Sequence, residues 1–150
     1  MDKHYNETPV VSMKNITKRF GNKEVLHSID FALHKCEVHA LLGENGAGKT
    51  TLMNILYGIF APTDGTITIN GNTFASMTPK EAIDAGIGMV HQHFMLIEPL
   101  TVTENIILGY EEDTGLFLDR KEARQKIKKL SDRYGLHIDP DARVEDITVG

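Results

Sequence analysis

The run Val38-His39-Ala40-Leu41-Leu42-Gly43-Glu44-Asn45-Gly46-Ala47-Gly48-Lys49-Thr50-Thr51 decides the reading of this chain. Gly43 to Thr50 fits G-x-x-x-x-G-K-[ST], the spacing of a phosphate-binding loop. Val38–Leu42 reads as a buried strand running into the loop. Lys49 to about Tyr57 reads as the helix leaving it, with Leu52, Ile55, Leu56 and Ile59 at helical spacing. Glycines at 43, 46 and 48 let the backbone curl until successive N–H groups point inward, with no Cβ to hold a phosphate away. The helix start adds roughly half a positive charge. In such a loop Lys49 reaches the β- and γ-phosphates and the Thr50 hydroxyl holds Mg²⁺. A glycine-rich turn that binds nothing is the bland alternative. An apolar strand before the pattern and an amphipathic helix after it argue against that.

Outward from the loop, short strands come first. Val10–Ile16 alternates weakly, Lys18–Asn22 reads as a turn, and Val25–Leu33 reads as a second, irregular strand. After the helix, Pro62–Gly65 is a turn. Asn70-Gly71 between short apolar-polar runs is the strongest local hairpin signal, because a type I′ turn needs φ > 0 twice. These strands predict an antiparallel layer beside the nucleotide core. Thr78-Pro79-Lys80-Glu81 is a capping box with proline at the first helical position, and that helix should stop near Gly86. Ile87–Val90 then reads as a buried strand, so that strand, crossover helix and strand form a parallel α/β unit.

Beyond His93 the pattern turns helical. Thr101-Val102-Thr103-Glu104 is another capping box, for a helix ending by Gly109. Tyr110–Gly115 is an acidic loop. Asp119 caps a longer helix whose face carries Ala123, Ile127, Leu130 and Tyr134, closed by Gly135.

The composition is that of one compact globular domain: 150 residues, 41% apolar and 25% charged. No apolar run approaches the ~18 residues that span a bilayer, and Met1–Thr8 lacks a secretory apolar region. One cysteine, Cys36, permits no intrachain disulfide and fits a reducing compartment. A net charge of −5 argues against a dedicated nucleic-acid binder.

Two further residues complete the expected site. Phe20, brought beside the loop by the antiparallel layer, is placed to stack on a purine, worth about 1–3 kcal/mol with little discrimination between bases. The attraction of Lys49 to phosphate reaches about 4 kcal/mol at an effective dielectric near 20, so phosphates should dominate affinity. Gln92 follows the Ile87–Val90 strand, whose end should lie near the γ-phosphate. Its amide can offer oxygen to Mg²⁺ and NH₂ to a water. His91 and His93 lack further ligands at metal spacing and are read as polar neighbours. Leu116–Asp119 only loosely imitates an apolar run ending in a Mg²⁺-binding aspartate. The basic positions Lys121, Arg124, Lys126, Lys128 and Lys129 are read as a solvated helix face.

Together, Phe20, Gly43–Thr50 and Gly88-Met89-Val90-His91-Gln92 resemble the ATP-binding subunits of ABC transporters. The run Gly86–Gly109 resembles their sugar and nucleoside importer branch. The resemblance implies an α/β fold: a P-loop NTPase core with an antiparallel β layer and the start of an α-helical subdomain, together a truncated ABC ATPase domain. It places the core at residues 1–93 and the helical part at 94–150. Phe20 becomes the A-loop, Gly43–Thr50 Walker A, and Gln92 the Q-loop. The implied cofactors are ATP, held by Phe20, Gly43, Glu44, Asn45, Gly46, Ala47, Gly48, Lys49, Thr50 and Thr51, and Mg²⁺, held by Thr50 and Gln92. Lys49 and Gln92 carry the catalytic roles. The implied partners are membrane-spanning permease subunits, a second ATPase domain in tandem and, indirectly, a solute-binding protein, on the inner face of the cell membrane.

Two departures stand out. Cys36 replaces the glycine usual in a Lys-Gly-Glu turn, so that turn is expected to differ locally, φ > 0 being costly for cysteine. The remainder of the signature motif begun by Asp146–Gly150, and the Walker B aspartate, are expected beyond Gly150. These 150 residues are therefore expected to bind nucleotide weakly and not to hydrolyse it. The alternatives are a soluble, non-transport ABC-type ATPase or another P-loop NTPase. No Asn-Lys-x-Asp for guanine occurs, and Tyr110–Leu118 holds no arginine of a kinase lid.

Overall fold

A computed structural model describes residues 8–91, 96–108 and 120–147. The chain divides into two compact units, residues 1–90 and 91–150.

The first unit is built on an antiparallel sheet. Strand β1 spans Val11–Phe20 and β2 spans Lys23–Leu33. Helix α1 covers Lys49–Leu56, β3 Asp64–Ile69, β4 Asn72–Phe74 and α2 Pro79–Asp84. The sheet order is β2-β1-β3-β4. Met13 pairs with Phe31 on one side and Ile67 on the other, so β1 is central and its inward face is sealed. Strand β1 runs through the expected Lys18–Asn22 turn as far as Phe20, leaving Gly21-Asn22 as the tight connection to Lys23. The weak alternation of β1 has a physical cause. The pairing shifts register between Met13 and Ile16, with Asn15 at φ 53 and Ser28 at φ 51. The bulge lets Met13 and Ile16, three positions apart, both point into the core. Asp30 Oδ1 secures it by accepting the Asn15 N–H at 2.7 Å.

The core gathers Met13, Ile16, Leu26, Leu52, Ile55, Ile67, Ile69, Met77 and Ala82. Helix α1 contributes Leu52 and Ile55, three apart and on one face. Ile59 falls beyond the helix end and is exposed. The Asn70-Gly71 hairpin forms as expected, with φ of 49 and 84 at its two corners. Helix α2 starts at the predicted capping box, Glu81 N–H donating to Thr78 Oγ1 and Thr78 N–H to the Glu81 carboxylate.

Two expected strands do not form. Val38–Leu42 and Ile87–Val90 adopt no strand structure, and neither pairs with another segment among the described residues. Val38 is 99% exposed, Leu42 89% and Val90 87%. Both runs are apolar, but a parallel strand holds only when flanked and covered on both faces, and neither run finds that cover among the described residues. Cys36 takes the left-handed backbone, at φ 59, so the cysteine bears the strain of that conformation.

In the second unit α3 spans Val102–Ile107 and α4 Arg120–Tyr134. The Thr101–Glu104 capping box forms. Thr101 bridges to Arg143, and the Thr103 hydroxyl donates to the Pro140 carbonyl at 2.8 Å. The sheltered face of α4 runs through Ala123, Ile127 and Ser131, while Leu130 and Tyr134 are exposed, against expectation. Ser131 decides this, because its hydroxyl accepts the Ile138 N–H at 2.8 Å and draws the chain after Gly135 onto that face. The proposed cap Asp119, the loop Tyr110–Gly115 and the run Leu116–Asp119 lie outside the described residues.

Candidate functional site

The loop between Leu42 and α1 is shaped by its own backbone. Ala47 N–H donates to the Glu44 carbonyl at 3.2 Å, closing a turn over Asn45 and Gly46. Gly46 at φ 87 and Gly48 at φ 89 occupy the left-handed region, which explains glycine there. Gly48 is also the cap of α1, whose helical bonding starts with Leu52 N–H to the Gly48 carbonyl at 2.9 Å. A Cβ at Gly48 would meet Leu26 Cδ2 at 2.6 Å and the Val25 carbonyl at 3.2 Å. The loop therefore lies directly on β2, and its curvature is set by that close approach.

Lys49 folds back across the loop. Its Nζ donates to the Gly43 carbonyl at 2.6 Å and the Glu44 carbonyl at 2.8 Å. A cation thus sits at the loop mouth, held by neutral oxygens rather than by a carboxylate, and stays available to an anion. Among the described residues the amides of Gly46, Gly48, Lys49 and Thr50 donate to no protein acceptor. Gly46 has nothing within 4 Å of where a Cβ would stand. Open amides, a helix N-terminus and an ammonium bound only to neutral carbonyls form the donor set that a chain of phosphates requires. Thr50 is exposed at the second position of α1. The residues present therefore fit the phosphates of a nucleoside triphosphate.

Phe20 closes the β1–β2 hairpin, across from Lys23. Val25, whose carbonyl lies against Gly48, is two residues further along β2 from Lys23, the partner of Phe20. The ring remains 43% exposed. It meets the Phe60 ring edge-on, with centroids 5.3 Å apart at 79°, and Lys18 Nζ stands 4.9 Å from its centroid. Neither neighbour carries a sequence signal, since Phe60 comes from the chain after α1. Nearby, Arg19 and His27 hold the Glu24 carboxyl below the usual carboxylate range through hydrogen bonds, Arg19 foremost.

Gln92 and His93 lie outside the described residues. Among the described residues no group of three or more His, Cys, Asp or Glu could hold a metal ion. No helix among them is long and apolar enough to cross a membrane.

Against known families, residues 26–150 match the ABC transporter profile. The chain belongs to the ABC transporter family. Among its relatives, the nucleoside import ATP-binding protein NupA of Lactococcus lactis subsp. cremoris is 53% identical, covering 97% of this chain and 28% of that protein. The guanosine import ATP-binding protein NupO of Bacillus subtilis is 50% identical, over 94% of this chain and 28% of NupO. The ribose import ATP-binding protein RbsA of Yersinia pestis is 41% identical, over 96% and 28%. The chain thus spans less than a third of the length of these relatives. Its fold matches a crystallised ATP-binding cassette of an ABC transporter in its ADP conformation, with a TM-score of 0.77. That match has 22% identity and covers 95% of this chain and 60% of the other. A nucleotide-free cassette gives 0.76, again at 22% identity. The fold is that of an ABC ATPase cassette, α/β in class, with its P-loop seated against an antiparallel layer.

Proposed function

We propose that this chain is the ATP-binding part of an ATPase that powers import of a sugar or nucleoside across a membrane. The observation that carries the reading is Lys49 poised across the mouth of a loop whose amides remain open. Gly43, Glu44, Asn45, Gly46, Ala47, Gly48, Thr50 and Thr51 cradle the phosphates, with Lys49 displacing its carbonyl contacts for β- and γ-phosphate oxygens. The Thr50 hydroxyl and the Gln92 amide oxygen would hold Mg²⁺, and Phe20 would take the base. Bound Mg²⁺ supplies neutralisation of charge on the transferred phosphoryl group. Gln92, at the junction of a nucleotide core over 1–93 and a helical part over 94–150, reports whether the γ-phosphate is in place.

The relatives named for nucleoside, guanosine and ribose import support the substrate class. On this reading the partners are membrane-spanning permease subunits, a second ATPase domain in tandem and, indirectly, a solute-binding protein. The location is the inner face of the cell membrane.

These 150 residues bind MgATP weakly and do not turn it over. Titration calorimetry with MgATP tests the reading. Measurable binding, reduced more than tenfold in Lys49→Ala, is the expected result. Equal binding by the two proteins would overturn it. Lys49→Ala hydrolysing as fast as the original would trace any activity to a contaminant.

A further inference from the structure

The last residues of β1 are stitched to the chain that leaves α1. Thr63 N–H donates to the Thr17 carbonyl at 2.7 Å and Arg19 N–H donates to the Thr63 hydroxyl at 3.0 Å. Lys18 Nζ donates to the Ala61 carbonyl at 2.7 Å. The same Nζ lies 4.9 Å from the Phe20 centroid and 5.7 Å from that of Phe60. Positions 18 and 20 project from the same side of the strand. One ammonium therefore ties the Phe60–Thr63 strap to β1 and occupies one side of the Phe20 ring, while Phe60 braces that ring edge-on.

We propose that Lys18 and Phe60 are positioning residues that hold the Phe20 ring as a preformed platform for a purine base. The proposal rests on the nucleotide-site reading above and adds to it the means by which the base end is set. An exposed phenylalanine at a hairpin tip would otherwise sample several rotamers and lose that freedom on binding. A cation against one side of the ring removes those alternatives before the base arrives and leaves the remaining surface open. The strap leaves the C-terminal end of the helix whose N-terminal end is the phosphate loop. Base platform and phosphate loop are therefore fixed to one rigid element, α1.

The chain is titrated with MgATP and, separately, with magnesium tripolyphosphate, which has the phosphates and no base. Lys18→Met, which keeps the stem and loses the charge, should weaken MgATP binding about three- to tenfold. It should leave tripolyphosphate binding within about twofold, since no base is there to feel the platform. Lys18→Arg should restore MgATP binding, and Phe60→Leu should resemble Lys18→Met. In a Phe20→Ala background Lys18→Met should have no further effect. The proposal is overturned if Lys18→Met leaves MgATP binding unchanged, weakens both ligands alike, or acts undiminished without Phe20. Unaltered circular dichroism ensures that each variant is folded. If the original chain binds neither ligand, or Lys49→Ala binds tripolyphosphate as tightly as the original, the nucleotide site itself is refuted and the platform with it.

Discussion

Two sets of apolar residues in one folded unit meet opposite fates. Met13, Ile16 and Ile67 are completely buried, whereas Val38, Leu42 and Val90 stand open. Both sets sit in runs that favour extended structure, so propensity does not separate them. The partners do. Strand β1 finds β2 across Gly21-Asn22, and β3 finds β4 across Asn70-Gly71. Such hairpins close at small entropic cost. Val38–Leu42 and Ile87–Val90 belong to the kind of strand that pairs only through long crossovers and wants neighbours on both sides. The antiparallel layer is thus seeded by two short hairpins that β1 and β3 join across α1, whereas neither of the other two runs pairs with a strand among the described residues.

The contrast is broken or sharpened first by paired truncations. Ile67→Ala should cost about 2–5 kcal/mol in urea unfolding, because it empties space under the central strand. Val38→Ala should stay within about 0.5 kcal/mol. A large cost at Val38 would mean that its run is packed in solution, and the comparison would fail. Exposed apolar strand-formers recruit other chains. Leu42→Asp should accordingly lower light scattering at high concentration, and unchanged scattering would locate the association elsewhere.

Next in size is Gly48→Ala. A left-handed alanine costs about 1–2 kcal/mol, and its Cβ would strike Leu26 Cδ2, so stability and MgATP binding should fall together. Retained binding would show that the loop does not depend on its seat against β2. Smaller and opposite in sign is Cys36→Gly. Relief of the left-handed cysteine, less the added freedom of glycine when unfolded, should raise stability by about 0.5–1 kcal/mol. A loss would mean that the thiol makes contacts outweighing the strain.

The smallest effect belongs to pH. Glu104 accepts hydrogen bonds from the Thr101 N–H at 2.9 Å and its hydroxyl at 3.0 Å, which hold the carboxyl below the ordinary glutamate range. A depressed pKa contributes stability above the ordinary range and loses it as pH falls through the lowered value. Acidification should therefore loosen the start of α3, seen as lower amide protection factors there once the intrinsic pH dependence of exchange is divided out, and Glu104→Gln should flatten that dependence. An unchanged profile in Glu104→Gln would assign the acid sensitivity to another group, such as Glu81 in its matching box.

Local rules carried much of this molecule. Both capping boxes, the Asn70-Gly71 corner and the span of α1 follow from neighbours within a few residues, so they were legible before any coordinates. The turn of the glycine loop into α1 was legible for the same reason, Gly46 and Gly48 answering a backbone need, although Gly48 also makes room for Leu26 and Val25 of β2. Other features were hidden because they depend on residues far apart in the chain. The bulge at Asn15 is held by Asp30, the sheltered face of α4 is chosen by Ser131, and Phe20 is braced by Phe60.

The sequence by itself determined where this chain curls into α1, because φ > 0 at Gly46 and Gly48 and a helix start at Lys49 are set within eight residues. Only the tertiary structure decided which extended runs become strands and what surrounds the Phe20 ring. Burial and pairing free energies belong to the partners a segment meets, and no segment carries its partners with it.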